Sequence, residues 1–490
     1  MSQSSDEKSE FVRALTLTDA TMLVAGSMVG SGIFIVSADI SRTLGSPGWL
    51  LVAWILTGVV TVLGALAFGE LAAMYPHAGG TYVFLKESMN PLMGFLYGWT
   101  LFLVIQTGTI AAVAVGFGKF LGVLIPSITA TRFGWFPQAN VTIGGGVVEL
   151  GLSSQRVVAL VSIWVLTWIN LRGVKEGKWV QTTLTVIKTA ALLILVVLAL
   201  TIGRNADAIA ANFGGGNFWA GSPDWSGMLV VTFGSALVGS LFSADSWTSP
   251  TFAAAEVQNP QKNLPRALLM GTGLISLLYI MANVGYLSVL PIHGAADGAT
   301  VLARGIDHAT QDRVATAVME SIFGASGATI MAVAILISTF GCNNGLILSG
   351  SRVYYAMAKD GLFFQKAGTL SKNHVPAYAL VLQSVWTSVL CLTGTYNQLL
   401  DYVIFAALLF YTLTTIGLFI LRSKRPNEPR PYKAIGYPVL PALYIFLTSA
   451  VAITLLVADK TRLQAISGLV LVILGIPVYL LWRRARAVSV

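Results

Sequence analysis

The sequence predicts an all-helical integral membrane protein with twelve transmembrane helices. Three observations lead there: the composition, the length of the apolar runs, and two runs that are interrupted at matching places. Of 490 residues, 55% are hydrophobic and only 10% charged, with a mean hydropathy of +0.75. Ordinary globular domains carry about 25% charged residues. A single soluble core stops growing near ~250–300 residues, so a soluble chain of this length needs several domains joined by polar linkers, and no such linker is visible. A disordered chain is polar and poor in aromatics, whereas Phe, Trp and Tyr make up 10% of this one. At roughly 20 apolar residues per span, the length suits about ten to fourteen spans. Membrane-barrel strands alternate apolar and polar residues over about ten positions, and the runs here do not.

The elements follow in order. Residues Met1 to Ala14 are polar and lead straight into a long apolar run. They lack the basic n-region, short apolar core and cleavage site of a signal peptide, and are expected to form a disordered cytoplasmic tail. Apolar runs bounded by charges or Gly/Pro clusters place spans near 16–43, 47–75, 91–122, 155–172, 178–203, 226–256, 263–290, 327–356, 376–395, 397–421, 437–458 and 463–482. They divide the chain into a tail (1–14), a first half of five spans (15–204), a second half of five (205–421) and a last pair with the C-terminal tail (422–490). Basic residues test the topology. With the N-terminus inside, Lys175, Lys178, Lys262, Arg266, Lys359, Lys366, Lys372, Arg422, Lys424 and their like fall on the cytoplasmic side. They outnumber the outer set, which includes Arg42, Lys119, Arg132 and Arg156, by about two to one. The net charge of +9 thus reflects membrane sidedness rather than a nucleic-acid partner. Both termini are expected in the cytoplasm, with the chain in the cell (inner, plasma) membrane.

Two spans are broken. The first reads Ala25-Gly26-Ser27-Met28-Val29-Gly30-Ser31-Gly32-Ile33-Phe34, and the sixth Leu241-Phe242-Ser243-Ala244-Asp245-Ser246-Trp247-Thr248-Ser249-Pro250. Gly weakens a helix, and Asp at mid-membrane is expensive. Such stretches persist where unwound backbone lines a cavity. First and sixth are equivalent positions in two halves of five spans, the mark of an inverted repeat whose binding site lies between the breaks, as in leucine-transporter-like folds. The plainer alternative is that Gly26, Gly30 and Gly32 only let helices approach closely. A half-helix that begins near Ile33 offers free N–H groups and the positive end of its dipole, which suit a carboxylate. A half-helix that ends near Phe242 offers free carbonyls, which suit an ammonium. An α-amino acid carries both groups a few ångströms apart.

At these residues the sequence resembles a family. Gly30-Ser31-Gly32-Ile33-Phe34 is similar to the first-span motif of the amino acid–polyamine–organocation superfamily. Phe68-Gly69-Glu70-Leu71, then Ala78-Gly79-Gly80-Thr81-Tyr82 and Glu87, resembles its second span and first loop. Glu256-Val257-Gln258-Asn259-Pro260-Gln261-Lys262-Asn263-Leu264-Pro265-Arg266 resembles the segment after span six in L-type amino acid transporters, and Ser351-Arg352-Val353-Tyr354-Tyr355 through Asp360-Gly361 resembles their eighth-span exit. The resemblance covers nearly the whole chain. It implies five-plus-five inverted repeats and amino acid transport by alternating access. Carried over by position, Val29, Gly30, Ser31, Gly32 and Ile33 would surround the substrate carboxylate. Carbonyls around Phe242, Ser243, Ala244 and Asp245 would take its ammonium. Phe242 would gate the site and Trp247 would line it, unless these rings are ordinary bundle packing.

Lys188 stands alone between Lys178 and Arg204. It lies about 15 Å in from Lys178 by helical rise, too deep to snorkel. An intramembrane cation is a functional candidate by default. The resemblance implies that its ammonium replaces the Na⁺ that sodium-coupled relatives hold between spans one and eight. It would donate to first-span carbonyls such as Gly26 or Val29, and an ammonium able to lose its proton would also offer proton coupling. The alternative is a structural Lys that plugs the bundle. Asp245 departs from the small residue found in many L-type members. It either meets a cationic group of the substrate or N-caps the restarting half-helix, with Thr248 three residues on. Asn344 is expected to be a partner of Lys188 or substrate, or else an interhelical bond. Residues 123–154 contain no Cys, where animal heteromeric members carry the one that tethers a second subunit, so no disulfide-linked ancillary subunit is expected. His77, His293, His308 and His374 form no metal constellation, and no cofactor is implied. A phosphate-cradling GxxxxGK[ST] loop is missing, and no nucleophile–base cluster suggests an enzyme.

The reading is a sodium-independent secondary transporter of L-amino acids, neutral alone or neutral and cationic, working as an exchanger or proton symporter. A polyamine or organocation transporter of the same superfamily is the alternative, with a channel behind it.

Overall fold

The computed structural model describes residues 11, 13–143, 146–222, 227–393 and 396–488. Helix starts are set by side chains that satisfy the free N–H groups of a first turn. Thr16 and Asp19 close a reciprocal capping box on α1 (Leu17–Met28). Ser46 caps α3 (Pro47–Met74), which follows the short α2 (Ser37–Leu44), and Pro47 supplies the preset φ of a first helical residue. A short helix, α4, spans Thr81–Ser88. Asn90 and Pro91 repeat the start signal at α5 (Pro91–Leu124), whose ladder widens into a π turn over Leu101–Ile105. Ser153 caps α6 (Ser154–Leu171). Then come α7 (Val174–Leu200), α8 (Ala206–Phe213), α9 (Gly227–Ser243) and the single turn α10 (Ser249–Phe252). They are followed by α11 (Pro260–Val289), α12 (Val314–Lys359), α13 (Ala377–Cys391), α14 (Tyr396–Lys424), α15 (Val439–Val457) and α16 (Arg462–Val488).

Among the described residues nine helices are long and apolar enough to cross a membrane, and the shorter Leu229–Ser243 and Ala377–Cys391 are also apolar. The all-helical, multi-pass character expected of the sequence is present. The outer belt is apolar, as a lipid-facing surface is: Trp164, Leu193, Ile194, Phe446 and Leu481 are large, apolar and exposed. Inside, α1, α7, α9, α11 and α12 pack around polar residues that are almost fully buried, including Lys188, Asp245, Asn344 and Ser338.

Four boundaries differ from expectation. The sixth run is helical only to Ser243, and after five residues resumes as α10 and a 3₁₀ turn at Ala254–Glu256. The eighth run begins earlier, at Val314, and bends at Gly324, whose φ of 63° and ψ of −152° break the helix. Two strands, Ala139–Ile143 and Gly146–Leu150, pair antiparallel. Their β-branched residues were a signal, but too short to register against long apolar runs. Finally, part of the expected tail is docked. Phe11 is buried with its ring edge-on to Tyr355 at 5.0 Å, and just past the tail Leu15 exchanges backbone bonds with Glu256 (2.9 Å) and Gln258 (2.8 Å). The remainder of the tail, residues 1–10 and 12, lies outside the described residues.

Candidate functional site

The two breaks face each other. The α1 ladder ends with Val29 N–H on Ala25 O, and a 3₁₀ turn, Gly32–Phe34, precedes α2. Among the described residues, the N–H groups of Gly32 and Ile33 donate to no backbone carbonyl. Close approach explains the glycine at 32. A Cβ there would stand 2.1 Å from Ser243 Oγ and 3.0 Å from Ser243 Cα, so the first break rests directly on the end of α9. Val29, Gly30, Ser31 and Ile33 from one side are thereby gathered with Phe242, Ser243 and Ala244 from the other, all buried.

The second break has its own order. Asp245 N–H bonds Phe242 O at 3.1 Å and Ala244 N–H bonds Ser240 O at 3.0 Å. Ser246 sits at φ 65°, a left-handed conformation that is uncommon for a residue with a Cβ. The helix resumes at Ser249, with Thr248 as its N-cap residue. Asp245 is therefore not the cap. Its carboxylate turns into the bundle and accepts a hydrogen bond from Tyr411 Oη at 2.7 Å. Trp247 stacks edge-on against Phe68 at 4.9 Å and tilts against Tyr411 at 5.5 Å. A cavity of about 20 Å³, room for about one water, is lined by Thr61, Asp245, Trp247, Tyr411 and Tyr444 among others.

Lys188 reaches the first break from α7. Its Nζ donates to the carbonyls of Gly26, of Val29 at 2.9 Å and of Ser338 at 3.3 Å. Three acceptors match the three donors of an ammonium. Ser338 reinforces the arrangement through its Oγ, 3.0 Å from Val29 O. Cys342 Sγ donates to Ser27 O at 3.0 Å. Asn344 is not bonded to Lys188. It accepts from Asn170 Nδ2 at 2.9 Å and donates to Gln181 Oε1 at 3.1 Å, the interhelical alternative. Its place one turn beyond Gly341 turns it toward α6 and the start of α7 instead.

Two residues that the sequence reasoning missed complete the site. Tyr279 Oη lies 3.0 Å from Met28 O and 3.1 Å from Ser243 O, so one α11 hydroxyl bridges the last carbonyls of both broken helices. Tyr286, two turns on, donates to Ile33 O at 3.3 Å. The available signal was two tyrosines seven residues apart, hence on one face of an apolar helix. On the side of the α1 N-terminus lies a fully buried ion pair, Arg352 Nε to Glu256 Oε1 at 2.9 Å. On the other side Arg42–Asp312 (2.7 Å) and Lys460–Asp39 (2.9 Å) tie α2 to neighbouring loops.

The family model described as amino acid permease matches residues 15–478. The chain belongs to the amino acid permease family. That family lies within the amino acid–polyamine–organocation superfamily expected above. The permease is 28% identical over 480 residues to the serine/threonine exchanger SteT of Bacillus subtilis, covering 97% of this chain and 98% of the relative. It is 30% identical over 484 residues to the human large neutral amino acids transporter small subunit 2, covering 96% and 80%. It is 26% identical to the mouse b(0,+)-type amino acid transporter 1, covering 95% and 87%. The family is one of membrane transporters rather than enzymes.

Proposed function

We propose that this permease is a sodium-independent secondary transporter of L-amino acids, working by alternating access. Twelve spans in two inverted halves of five plus a final pair would carry it, with both termini cytoplasmic in the cell membrane. The substrate carboxylate would sit on the N–H groups of Gly32 and Ile33, beside Val29, Gly30 and Ser31. Its ammonium would take carbonyl density from Phe242, Ser243 and Ala244, each carbonyl having two lone pairs of which one is already used at Phe242 and Ser243. Phe242 would gate the site. The observation that carries this reading is Lys188, which fixes the carbonyls of the first break with a resident positive charge where a bound cation would otherwise do so. Amino acid transport itself is favoured by the family and by relatives whose names specify serine/threonine exchange and large neutral amino acids.

The test is uptake of labelled amino acids into proteoliposomes loaded with unlabelled ones. Saturable counterflow without Na⁺ is expected. Transport that collapses without Na⁺ yet survives Lys188→Ala would sink the reading of Lys188. A second reading, transport of dibasic substrates or polyamines, is favoured by the buried Asp245 carboxylate. Ranking lysine, arginine and putrescine against alanine and leucine by thermal shift, in the parent and in Asp245→Asn, decides it, because a ligand of the folded state raises stability by mass action. Cationic ligands that shift both proteins equally remove that reading.

A further inference from the structure

Below Lys188, toward the N-terminal ends of α1 and α7, runs a chain of buried polar side chains that the transport site does not use. Gln181, Thr185 and Lys188 fall at i, i+4 and i+7, one face of α7. The face is about 10 Å long by helical rise. Gln181 Nε2 lies 3.4 Å from Thr185 Oγ1, its Oε1 accepts from Asn344, and Asn344 in turn accepts from Asn170 on α6. All five residues are buried. The chain lies against α1: a Cβ on Gly26 would meet Gln181 Nε2 at 2.2 Å and Thr185 Oγ1 at 2.3 Å. Asn170 Oδ1 and Ser27 Oγ are buried and make no hydrogen bond. Such atoms are costly if left dry, and a buried water is their usual partner. At the surface end, Thr182, next to Gln181, lies 3.4 Å by its Oγ1 from the Asp19 carboxylate, near the entrance of α1.

We propose that Thr185, Gln181, Asn344 and Asn170, with Thr182 and Asp19 at the mouth, form a hydrated route along which Lys188 exchanges a proton with the cytoplasmic face. This rests on the transport reading above and takes its proton-coupled branch. In the closed arrangement all three Nζ–H donors are held by the carbonyls of Gly26, Val29 and Ser338, so the proton is retained. When the first half-helix moves away, the Gly26 and Val29 carbonyls leave with it, and a water in the track takes their place. An Nζ–H bond then breaks, its electron pair stays on nitrogen as the lone pair of a neutral amine, and the proton passes through water to the Asp19 mouth. Other groups facing Lys188 do not offer that exit. From α12 comes the Cys342 thiol, engaged with Ser27 O; the nearest α11 hydroxyl at the first break, the Tyr279 phenol, is engaged with Met28 O and Ser243 O. Among the described residues, no carboxylate hydrogen-bonds Lys188. On α6, Arg172 stacks over Trp168 at 3.7 Å and Arg156 bonds Gly151 O at 2.5 Å at the opposite end.

The experiment uses the full chain in proteoliposomes with labelled L-leucine, L-serine or L-lysine, whichever supports counterflow. Two rates are compared: exchange at equal pH, and uptake with the labelled side one pH unit more acidic. One proton per substrate makes such a gradient worth up to about tenfold in accumulation. The parent is expected to respond to the gradient. Gln181→Met, Asn170→Leu and Thr185→Val are expected to lose that response while keeping exchange at equal pH within roughly a factor of three, a factor worth under 1 kcal/mol. A parent that exchanges but ignores the gradient overturns the route and leaves the transport reading standing. A parent without counterflow overturns the transport reading itself. A gradient response retained by any variant that still exchanges overturns the route, as does loss of exchange in all three, which makes the chain a packing element.

Discussion

Replacing Lys188 by Ala removes the clamp between α7 and the first break, and its consequence can be worked from the bonds lost. Val29 O keeps Ser338 Oγ at 3.0 Å, whereas Gly26 O loses its described side-chain donor. A hydrogen bond from a charged donor contributes about 1.5–3 kcal/mol, so the two bonds to α1 amount to roughly 3–6 kcal/mol gross. Deleting the ammonium also removes the cost of burying a charge. A net loss of about 2–4 kcal/mol in the closed arrangement remains, roughly 30- to 700-fold in its ratio to open forms. Cys342 reports the change, because its thiol is buried against Ser27 O. In a Cys391→Ser background, maleimide labelling of Cys342 in reconstituted protein should accelerate at least about tenfold, since 1.4 kcal/mol already gives that factor. Exchange should fall with it, as open forms no longer reset. If labelling and exchange both stay within roughly a factor of two of the parent, a shift under 0.5 kcal/mol, the clamp reading is refuted.

Other substitutions probe the remaining contacts. Tyr279→Phe removes one hydroxyl proton shared between Met28 O and Ser243 O. It should cost about 1–2 kcal/mol and slow counterflow several-fold without changing which amino acids are accepted. Gly32→Ala forces a Cβ to 2.1 Å from Ser243 Oγ. It should abolish counterflow in protein that still elutes as a single species, and Ser243→Gly in the same chain should restore part of it. Glu256→Leu leaves Arg352 buried without its carboxylate, 2.9 Å away in the parent, at a cost of about 3–5 kcal/mol. Its Tm should drop by several degrees, further than for Glu256→Gln, and added salt should not mask the difference because the pair is out of reach of screening ions. Lys460→Ala breaks an exposed pair, worth at most about 1 kcal/mol, and its Tm should barely move.

Much of the site was legible because its chemistry lies in the backbone. Gly30-Ser31-Gly32 in one apolar run and Asp245 in another announce unwound helix by composition alone, since neither suits a continuous span. Lys188 was legible for the same reason: a lone charge ten residues from the next has few ways to be satisfied in a membrane. Asp245 and Asn344 were harder. Whether Asp245 caps a helix depends on where the chain leaves the break, and it leaves at Ser249, so the carboxylate meets Tyr411 instead. Asn344 lies on the same helix as Ser338, yet a turn and a half along it the facing residues are Asn170 and Gln181. Tyr279 was missed because a tyrosine in an apolar run is ordinary, and only the meeting of two chain ends beside α11 makes its hydroxyl a bridge.

The sequence by itself determined that the chain lives in a membrane, where its two helices break, and that one ammonium lies buried at mid-span. These are local consequences of hydropathy, of glycine, and of the cost of burying charge. Only the tertiary structure decided partners: that Lys188 takes Gly26, Val29 and Ser338, that Gly32 rests on Ser243, that Glu256 closes on Arg352, and that Tyr279 joins both breaks. Hydrogen bonds and close contacts act over about 3 Å, and which atoms come within that distance across 36 to 251 residues of chain is fixed by how the helices pack, not by any one stretch of sequence.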